Sequence, residues 1–301
     1  MSHSIYFSPA KINWFLHVTG QRADGYHTLE TVFQCIDWYD ELHIDTRTDG
    51  VIQLSGDLCG VADTSNLAYR AAQALRQHAH ARGFVTDHLG AHIHLVKHIP
   101  TGAGLGGGSS NAATVLCVLN EQWNFHFDNA TLQKIGLALG ADVPFFVSQH
   151  SAAFAQGIGE TLQALTLVSH DVLLVNPNTH VNTGAVFTHP DLPRQHAPLT
   201  DSLDVLQAQL NHLPFQNAHS NDLEVVTFAV SPEVKAVYDT LSPLAPTRMS
   251  GSGATIMACP SSEDQRQSLN EWTLHCPAHW QFRWVKTITQ CNQTTSVMKH
   301  S

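Results

Sequence analysis

Positive charge is scarce in this chain. Its 301 residues include 15 Lys and Arg against 25 Asp and Glu, a formal net charge of −10 with histidine neutral. That balance argues against a nucleic-acid coat or a binder of acidic membranes, and leaves any anion to a local positive field. No apolar run is long enough to span a bilayer. The stretch MSHSIYFSPAKINWF has neither a basic leader nor an apolar segment with a cleavage site. The chain therefore reads as soluble and cytoplasmic, with no nucleic-acid or membrane partner. Cysteine is sparse and unpatterned: six residues, at 35, 59, 117, 259, 276 and 291, with no CxxC pair. Such spacing suits reduced thiols rather than a disulfide framework or a zinc site. Internal repeats, low-complexity tracts and long linkers are also missing.

Histidine is plentiful instead, at 21 residues. His92 and His94 share one face of a strand over 91–98, but no third and fourth ligands stand at standard metal spacing. A solvated strand face accounts for them, and no metal site is expected there. Hydrophobic residues make up 43%, enough for a substantial core. Strands are expected at 31–36, 41–46 and 91–98. Helices are expected at 63–80, capped by Asp63, Thr64 or Ser65, from Ser109 or Ser110 onward, and at 129–139. Beyond about residue 160 the pattern continues with a buried strand in DVLLVNP and a helix from Ser231-Pro232-Glu233. A short strand in GATIMACP, a polar-faced helix in SSEDQRQSLNEWTL and a strand in HWQFRWVKT follow. The whole reads as α+β in two lobes, 1–160 and 161–301.

Between the 91–98 strand and the next helix lies PTGAGLGGGSSN. Gly102, Gly104, Gly106, Gly107 and Gly108 are more glycine than a reversal needs. Glycines ahead of a helix N-terminus let amide N–H groups converge where the helix dipole is positive, a cradle for phosphates. A Walker A loop would end Gly-Lys-Ser/Thr, and no lysine follows Gly108. A GxGxxG pattern is present at Gly102, Gly104 and Gly107, with Glu121 at about the right distance. Its feeding strand is half polar, however, unlike a central parallel strand. The HRD and DFG motifs of protein kinases are absent.

PTGAGLGGGSSNAA resembles the phosphate loop of the GHMP kinases, the group that includes galactokinase, homoserine kinase and mevalonate kinase. SPAKINWFLHVTGQRADGYHTLETVFQ at 8–34, GADVPFF at 140–146 and RMSGSGAT at 248–255 match further motifs of one branch, in the same order. The resemblance runs almost the full length and is weakest over 190–245. It implies an N-terminal lobe like the second domain of ribosomal protein S5 and a ferredoxin-like C-terminal lobe, with the site between them. It implies transfer of the ATP γ-phosphate to the C2 hydroxyl of 4-diphosphocytidyl-2-C-methyl-D-erythritol, in the non-mevalonate route to isoprenoids. The enzyme is expected to be a monomer or a weak homodimer.

Asp142, an acid in the apolar company of ALGADVPFF, is the candidate to orient the attacking hydroxyl, with Lys11 as its partner. The resemblance gives Pro100, Thr101, Gly102, Ala103, Gly104, Leu105, Gly106, Gly107, Gly108, Ser109 and Ser110 to the phosphates of ATP. Asn66 and Lys97 go to its adenine side. Tyr26, His27 and Phe33 are expected around the cytosine, where a stacked base contributes about 1–3 kcal/mol. Asn13 is expected on the erythritol arm, with Thr183 and Phe187 closing the pocket from the second lobe. SGSGA at 250–254 reads as a second glycine turn backing the first. ATP implies Mg²⁺; no carboxylate cage is visible, and Ser109, Ser110 or Asp142 would contribute ligands. Two rivals are a nicotinamide-dependent oxidoreductase, resting on GxGxxG alone, and a catalytically silent nucleotide-binding protein. The presence of both Lys11 and Asp142 speaks against the second.

Overall fold

The structure, a computed structural model, describes residues 4–58, 63–212, 215 and 219–290. It opens with a long antiparallel hairpin of β1 (Ile5–Gln21) and β2 (His27–Arg47). Gly25, at φ 89°, lets the connecting turn close, with Arg22 N donating to Tyr26 O at 2.7 Å. The two strands expected at 31–36 and 41–46 are one. The register jumps from Pro9↔Tyr39 to Ala10↔Ile36, so the residues between them bulge without ending the ladder. β1 carries no alternation in sequence because it is buried on both faces from Ser8 to Val18.

β3 (Ile52–Gly56), a 3₁₀ turn (Asp63–Ser65), α1 (Leu67–Ala81), β4 (Gly90–Val96), α2 (Gly107–Gln122), α3 (Asn129–Leu137), α4 (Val143–Ser148), β5 (Ala152–Gly157) and β6 (Thr161–Ala164) complete the first lobe. Its sheet has the order β3-β4-β2-β5-β6, with β1 paired to β2. β4 is parallel to β3 but antiparallel to β2. The glycine turn thus leaves a mixed sheet, which removes the dinucleotide reading of its GxGxxG pattern. β4 also ends earlier than its sequence suggests. The amides of His98 and Ile99 turn away to donate to Asp40 Oδ1, at 2.8 and 2.9 Å.

The second lobe contains β7 (Asp171–Asn176), α5 (Thr183–Thr188), α6 (Leu203–His212), α7 (Glu224–Val230), α8 (Pro232–Leu241), β8 (Thr247–Met249), β9 (Ile256–Ala258), α9 (Glu263–Thr273) and β10 (Gln281–Lys286). Its antiparallel sheet has the order β10-β7-β9-β8. Pro232 stands at the start of α8, and Ser262 caps α9 by accepting from Gln265 N. The proline start is legible in the sequence.

One apolar cluster is shared by the lobes: Ile12, Trp14 and Phe15 of β1 pack with Val172, Leu174 and Met257. Polar bonds reinforce the seam. Arg248 donates to Trp14 O at 2.7 Å, and Val18 N donates to Asp222 Oδ2 at 2.8 Å. His17 stacks on His196 with ring centroids 3.6 Å apart. Burial, with His196, His219 and Arg248 nearby, pushes the His17 pKa down to about 3. Cys35, Cys117, Cys259 and Cys276 are not joined in disulfides; Cys59 and Cys291 lie outside the described residues. Among the described residues no helix is long and apolar enough to cross a membrane.

Candidate active site

The glycine turn delivers the chain to α2 with a bare cap. Gly106, not Ser109 or Ser110, is the N-cap residue; it sits at φ 70° and makes no side-chain cap bond. The first helical bond runs from Ser110 N to Gly106 O, so the amides of Gly107, Gly108 and Ser109 have no partner within the helix. A serine cap would fill that space, whereas glycine leaves it to a ligand. At Gly106 a Cβ would press on Phe146 at 3.0 Å and on Lys11 Cγ and Cε at 3.1 Å. The second glycine turn backs the first as expected: Ser250 Oγ donates to Gly104 O at 3.0 Å. Two loop residues depart from expectation. Leu105 is 1% exposed, in the inter-lobe core, and contributes its carbonyl to Lys11 N at 2.9 Å. Ser110 is fully buried with no hydrogen-bond partner for Oγ. Both face away because a helix and its entry turn expose only some positions to one side. Pro100, Thr101, Gly102, Ala103, Gly104, Gly106, Gly107, Gly108 and Ser109 do line the cavity.

Lys11 rises from β1 beneath this turn, 3% exposed. Its Nζ lies 3.4 Å from Asp142 Oδ2 and donates to Asn13 Oδ1 at 2.7 Å and Gly104 O at 3.1 Å. It stands 5.2 Å from the centroid of the Phe33 ring, which packs on Phe145. Asp142 directly precedes α4, yet its carboxylate caps no amide there. The carboxylate is thus not spent on capping the turn before Pro144. Asn13 is committed: Oδ1 holds Lys11 and Nδ2 donates to Thr31 Oγ1 at 2.9 Å. Its side chain orients the lysine.

At the far end, Tyr26 stands on the hairpin tip, 60% exposed, beside the buried His27. The His27 ring lies 5.4 Å from that of Phe187 on α5. Burial first, and the nearby Arg194 second, lower the His27 pKa. Thr183, at the start of α5, shares a 2.7 Å hydrogen bond with Ser252 Oγ of the second glycine turn. Toward the other end, Asn66 proves to be the cap of α1, accepting from Ala68 N at 2.9 Å; the residues expected to cap it belong to the 3₁₀ turn. Lys97 Nζ bonds Asp40 Oδ2 and donates to Asn111 Oδ1 at 3.2 Å. Sequence reading missed Asp40, Asn111 and Arg194. Asp40 stands in IDWYDEL between two other acids, Asp37 and Glu41, so nothing in the sequence set it apart as ALGADVPFF set apart Asp142. Arg194 carried no signal either.

One cavity of about 800 Å³ is walled by both lobes. It brings together Lys11, Asn13, Tyr26, His27, Phe33, Asn66, Lys97, Asp142, Thr183 and Phe187 with the glycine turn. The size is that of a site for a substantial organic ligand. A bare helix N-terminus on one side and a lysine–carboxylate pair 3.4 Å apart below it form an arrangement suited to phosphoryl transfer.

A family profile described as GHMP kinases N terminal domain matches residues 66–150, and one described as GHMP kinases C terminal matches 206–278. A 4-diphosphocytidyl-2-C-methyl-D-erythritol kinase of Burkholderia pseudomallei (strain 668) is 42% identical over 273 residues, 91% of this chain and 90% of its own. The chain belongs to the GHMP kinase family. As a member it is a small-molecule kinase, and the family implies ATP. A solved 4-(cytidine 5'-diphospho)-2C-methyl-D-erythritol kinase superposes with a TM-score of 0.71 at 32% identity, covering 94% of this chain and 99% of that one. A homoserine kinase from Cytophaga hutchinsonii shares the fold at a TM-score of 0.70 and 14% identity, over 97% of this chain and 96% of its own.

Proposed function

We propose that the chain phosphorylates the C2 hydroxyl of 4-diphosphocytidyl-2-C-methyl-D-erythritol at the expense of ATP, in the non-mevalonate route to isoprenoids. The observation that carries the reading is the Lys11–Asp142 pair, 3.4 Å apart, in the cavity that also holds the uncapped start of α2. The relatives' names supply the substrate class. The amides of Gly107, Gly108 and Ser109 receive the phosphates of ATP, with its base toward Asn66 and Lys97. The cytosine enters between Tyr26 and Phe187, with His27 at its edge. Thr183 and Phe33 bound the arm that carries the reacting alcohol.

In the reaction, the hydroxyl oxygen forms a bond to the γ-phosphorus as the bond from that phosphorus to the β-phosphate oxygen breaks. The products are the 2-phosphate and ADP. Asp142 accepts a hydrogen bond from the hydroxyl and takes its proton. A loose transition state asks little basicity of it, so orientation is its main contribution. Lys11, 3.4 Å from Asp142 Oδ2, sets positive charge beside the transferring group. Asn13 and Gly104 O hold the ammonium in place.

The donors present fit a magnesium ion that is mostly hydrated. Asp142 and Ser109 reach the cavity, and among the described residues no group of three or more His, Cys, Asp or Glu is placed to hold a metal. Asp142 and Ser109 would hold such an ion, which would supply counter-charge to the phosphates of ATP. Charged, water-borne substrates fit a cytoplasmic setting.

ADP release from ATP, with and without the cytidyl substrate, tests the assignment. Wild type is expected to need the substrate. Asp142→Asn is expected to lower kcat by about 10²–10⁴-fold with little change in KM for ATP. Turnover within a few-fold of wild type would remove Asp142 from the mechanism.

A further inference from the structure

We propose that Arg194 sets the base specificity of the cavity. By donating to Nε2 of His27 it fixes the tautomer whose Nδ1–H faces the nucleoside end, which selects cytosine over uracil. This rests on the reading that the Tyr26–Phe187 end receives a pyrimidine nucleotide.

The bond in question joins Arg194 Nε to His27 Nε2 at 3.0 Å. A guanidinium only donates and stays charged at any ordinary pH. Nε2 must therefore be the acceptor, and the single remaining imidazole proton sits on Nδ1. Double protonation is disfavoured by burial and by the neighbouring positive charge.

Neither partner is free to turn. The other N–H groups of Arg194 donate to four backbone carbonyls after α5 begins. Nη2 reaches Phe187 O at 3.3 Å and His189 O at 2.6 Å; Nη1 reaches Leu192 O at 3.1 Å and Pro190 O at 3.4 Å. The imidazole is packed at 31° against the Phe187 ring. Nδ1 makes no hydrogen bond among the described residues, although His27 is only 6% exposed and borders the cavity.

A pre-set donor in a half-dry pocket discriminates by what it meets. N3 of cytosine is an acceptor and completes the bond. N3 of uracil carries a hydrogen, so two donors would oppose each other and both would lose their water partners. Arg194 acts through His27 and is a positioning residue. It ties the start of β2 in the first lobe to the loop after α5 in the second, so base choice depends on both lobes.

The test compares steady-state kinetics on the cytidyl substrate and its uridyl counterpart for wild type, Arg194→Met and Arg194→Gln. It is joined by ¹⁵N NMR of the wild-type imidazoles to read the His27 tautomer. Wild type is expected to favour the cytidyl substrate in kcat/KM by about tenfold or more. Arg194→Met frees His27 to present Nδ1 as an acceptor. That variant should raise KM for the cytidyl substrate, leave KM for ATP and kcat within about threefold, and close the gap between the two bases. Arg194→Gln, which keeps an amide donor, should restore part of the preference. The NMR signature expected is a protonated Nδ1.

An Arg194→Met enzyme that keeps the full wild-type preference overturns the proposal, as does a protonated Nε2 in wild type. If Arg194→Met does not fold, the wild-type tautomer still decides. Failure of wild type to turn over either nucleotide would instead strike the functional reading, and the NMR result would stand on its own.

Discussion

A methyl group added at Gly108 would meet nothing nearer than Leu67 Cδ1 at 3.6 Å, whereas one at Gly104 would lie 2.1 Å from Ser250 O. Gly104 also sits at φ 76°, where a side chain is strained. The two glycines of one turn thus answer to different constraints. At 104 the second glycine turn leaves no room. At 108 the protein leaves room, which the proposed function gives to the phosphates of ATP. Gly108→Ala is expected to keep or slightly raise Tm, because alanine favours a helix by up to about 1 kcal/mol over glycine. It should nevertheless lower kcat/KM for ATP by about ten- to hundredfold through misplaced phosphates. Gly104→Ala should lower Tm outright. Calorimetry and ATP-dependent kinetics on the pair check this; a Gly108→Ala enzyme with wild-type kinetics would take the phosphates off that amide.

At the level of elements, Asp40 holds the glycine turn at its base. It is fully buried, and its carboxylate accepts from Lys97 Nζ, Asn111 Nδ2 at 3.0 Å, His98 N at 2.8 Å and Ile99 N at 2.9 Å. It thus ends β4, anchors α2 and pairs the lysine that borders the cavity, all from the middle of β2. Lys97 therefore cannot turn into the cavity without leaving a buried anion short of a donor. Removing a buried partner leaves the other charge uncompensated, which costs about 3–5 kcal/mol. Asp40→Ala is expected to lose stability of that order in urea unfolding and to weaken ATP binding, since α2 loses its tether. A loss below about 1 kcal/mol would mean that water replaces the carboxylate at low cost.

Across the whole molecule, the fold shifts titratable groups whose pH responses oppose one another. Burial pushes Glu224 up to about 7, with Met249 N and Arg248 offsetting part of the rise. The unfolded chain releases this proton near 4.5, while the fold holds it until about 7. Between those values the folded state carries more protons, so the contribution of Glu224 to stability falls as pH rises. At about 1.4 kcal/mol per unit the fall amounts to roughly 3 kcal/mol. His17 works in the other direction. Its pKa is pushed down to about 3 from 6.5, so its contribution falls as pH drops through that window. Glu224→Gln keeps an oxygen for Met249 N and removes the carboxylate alone. Relative to wild type it is expected to gain up to about 3 kcal/mol between pH 4.5 and pH 7 in urea unfolding. A difference that stays constant with pH would show Glu224 ionised in the fold.

The sequence by itself determined the local matter: where α2, α3, α8 and α9 lie, that a glycine run precedes α2, and that four motifs follow the order of one kinase branch. These features depend on neighbours in the chain, whose caps, periodicity and backbone freedom can be read directly. β1 escaped notice because burial on both faces erases alternation, and β2 looked like two strands because of its bulge. The tertiary structure alone decided which side chains meet. Beyond the Lys11–Asp142 pair, which the family resemblance already implied, it gave Lys97 to Asp40, made Asn66 a cap and Asn13 a holder of Lys11, and brought Arg194 to His27 across 167 positions of chain. Such contacts depend on sheet pairing and on the closure of one lobe against the other, and neither leaves a mark on residue spacing.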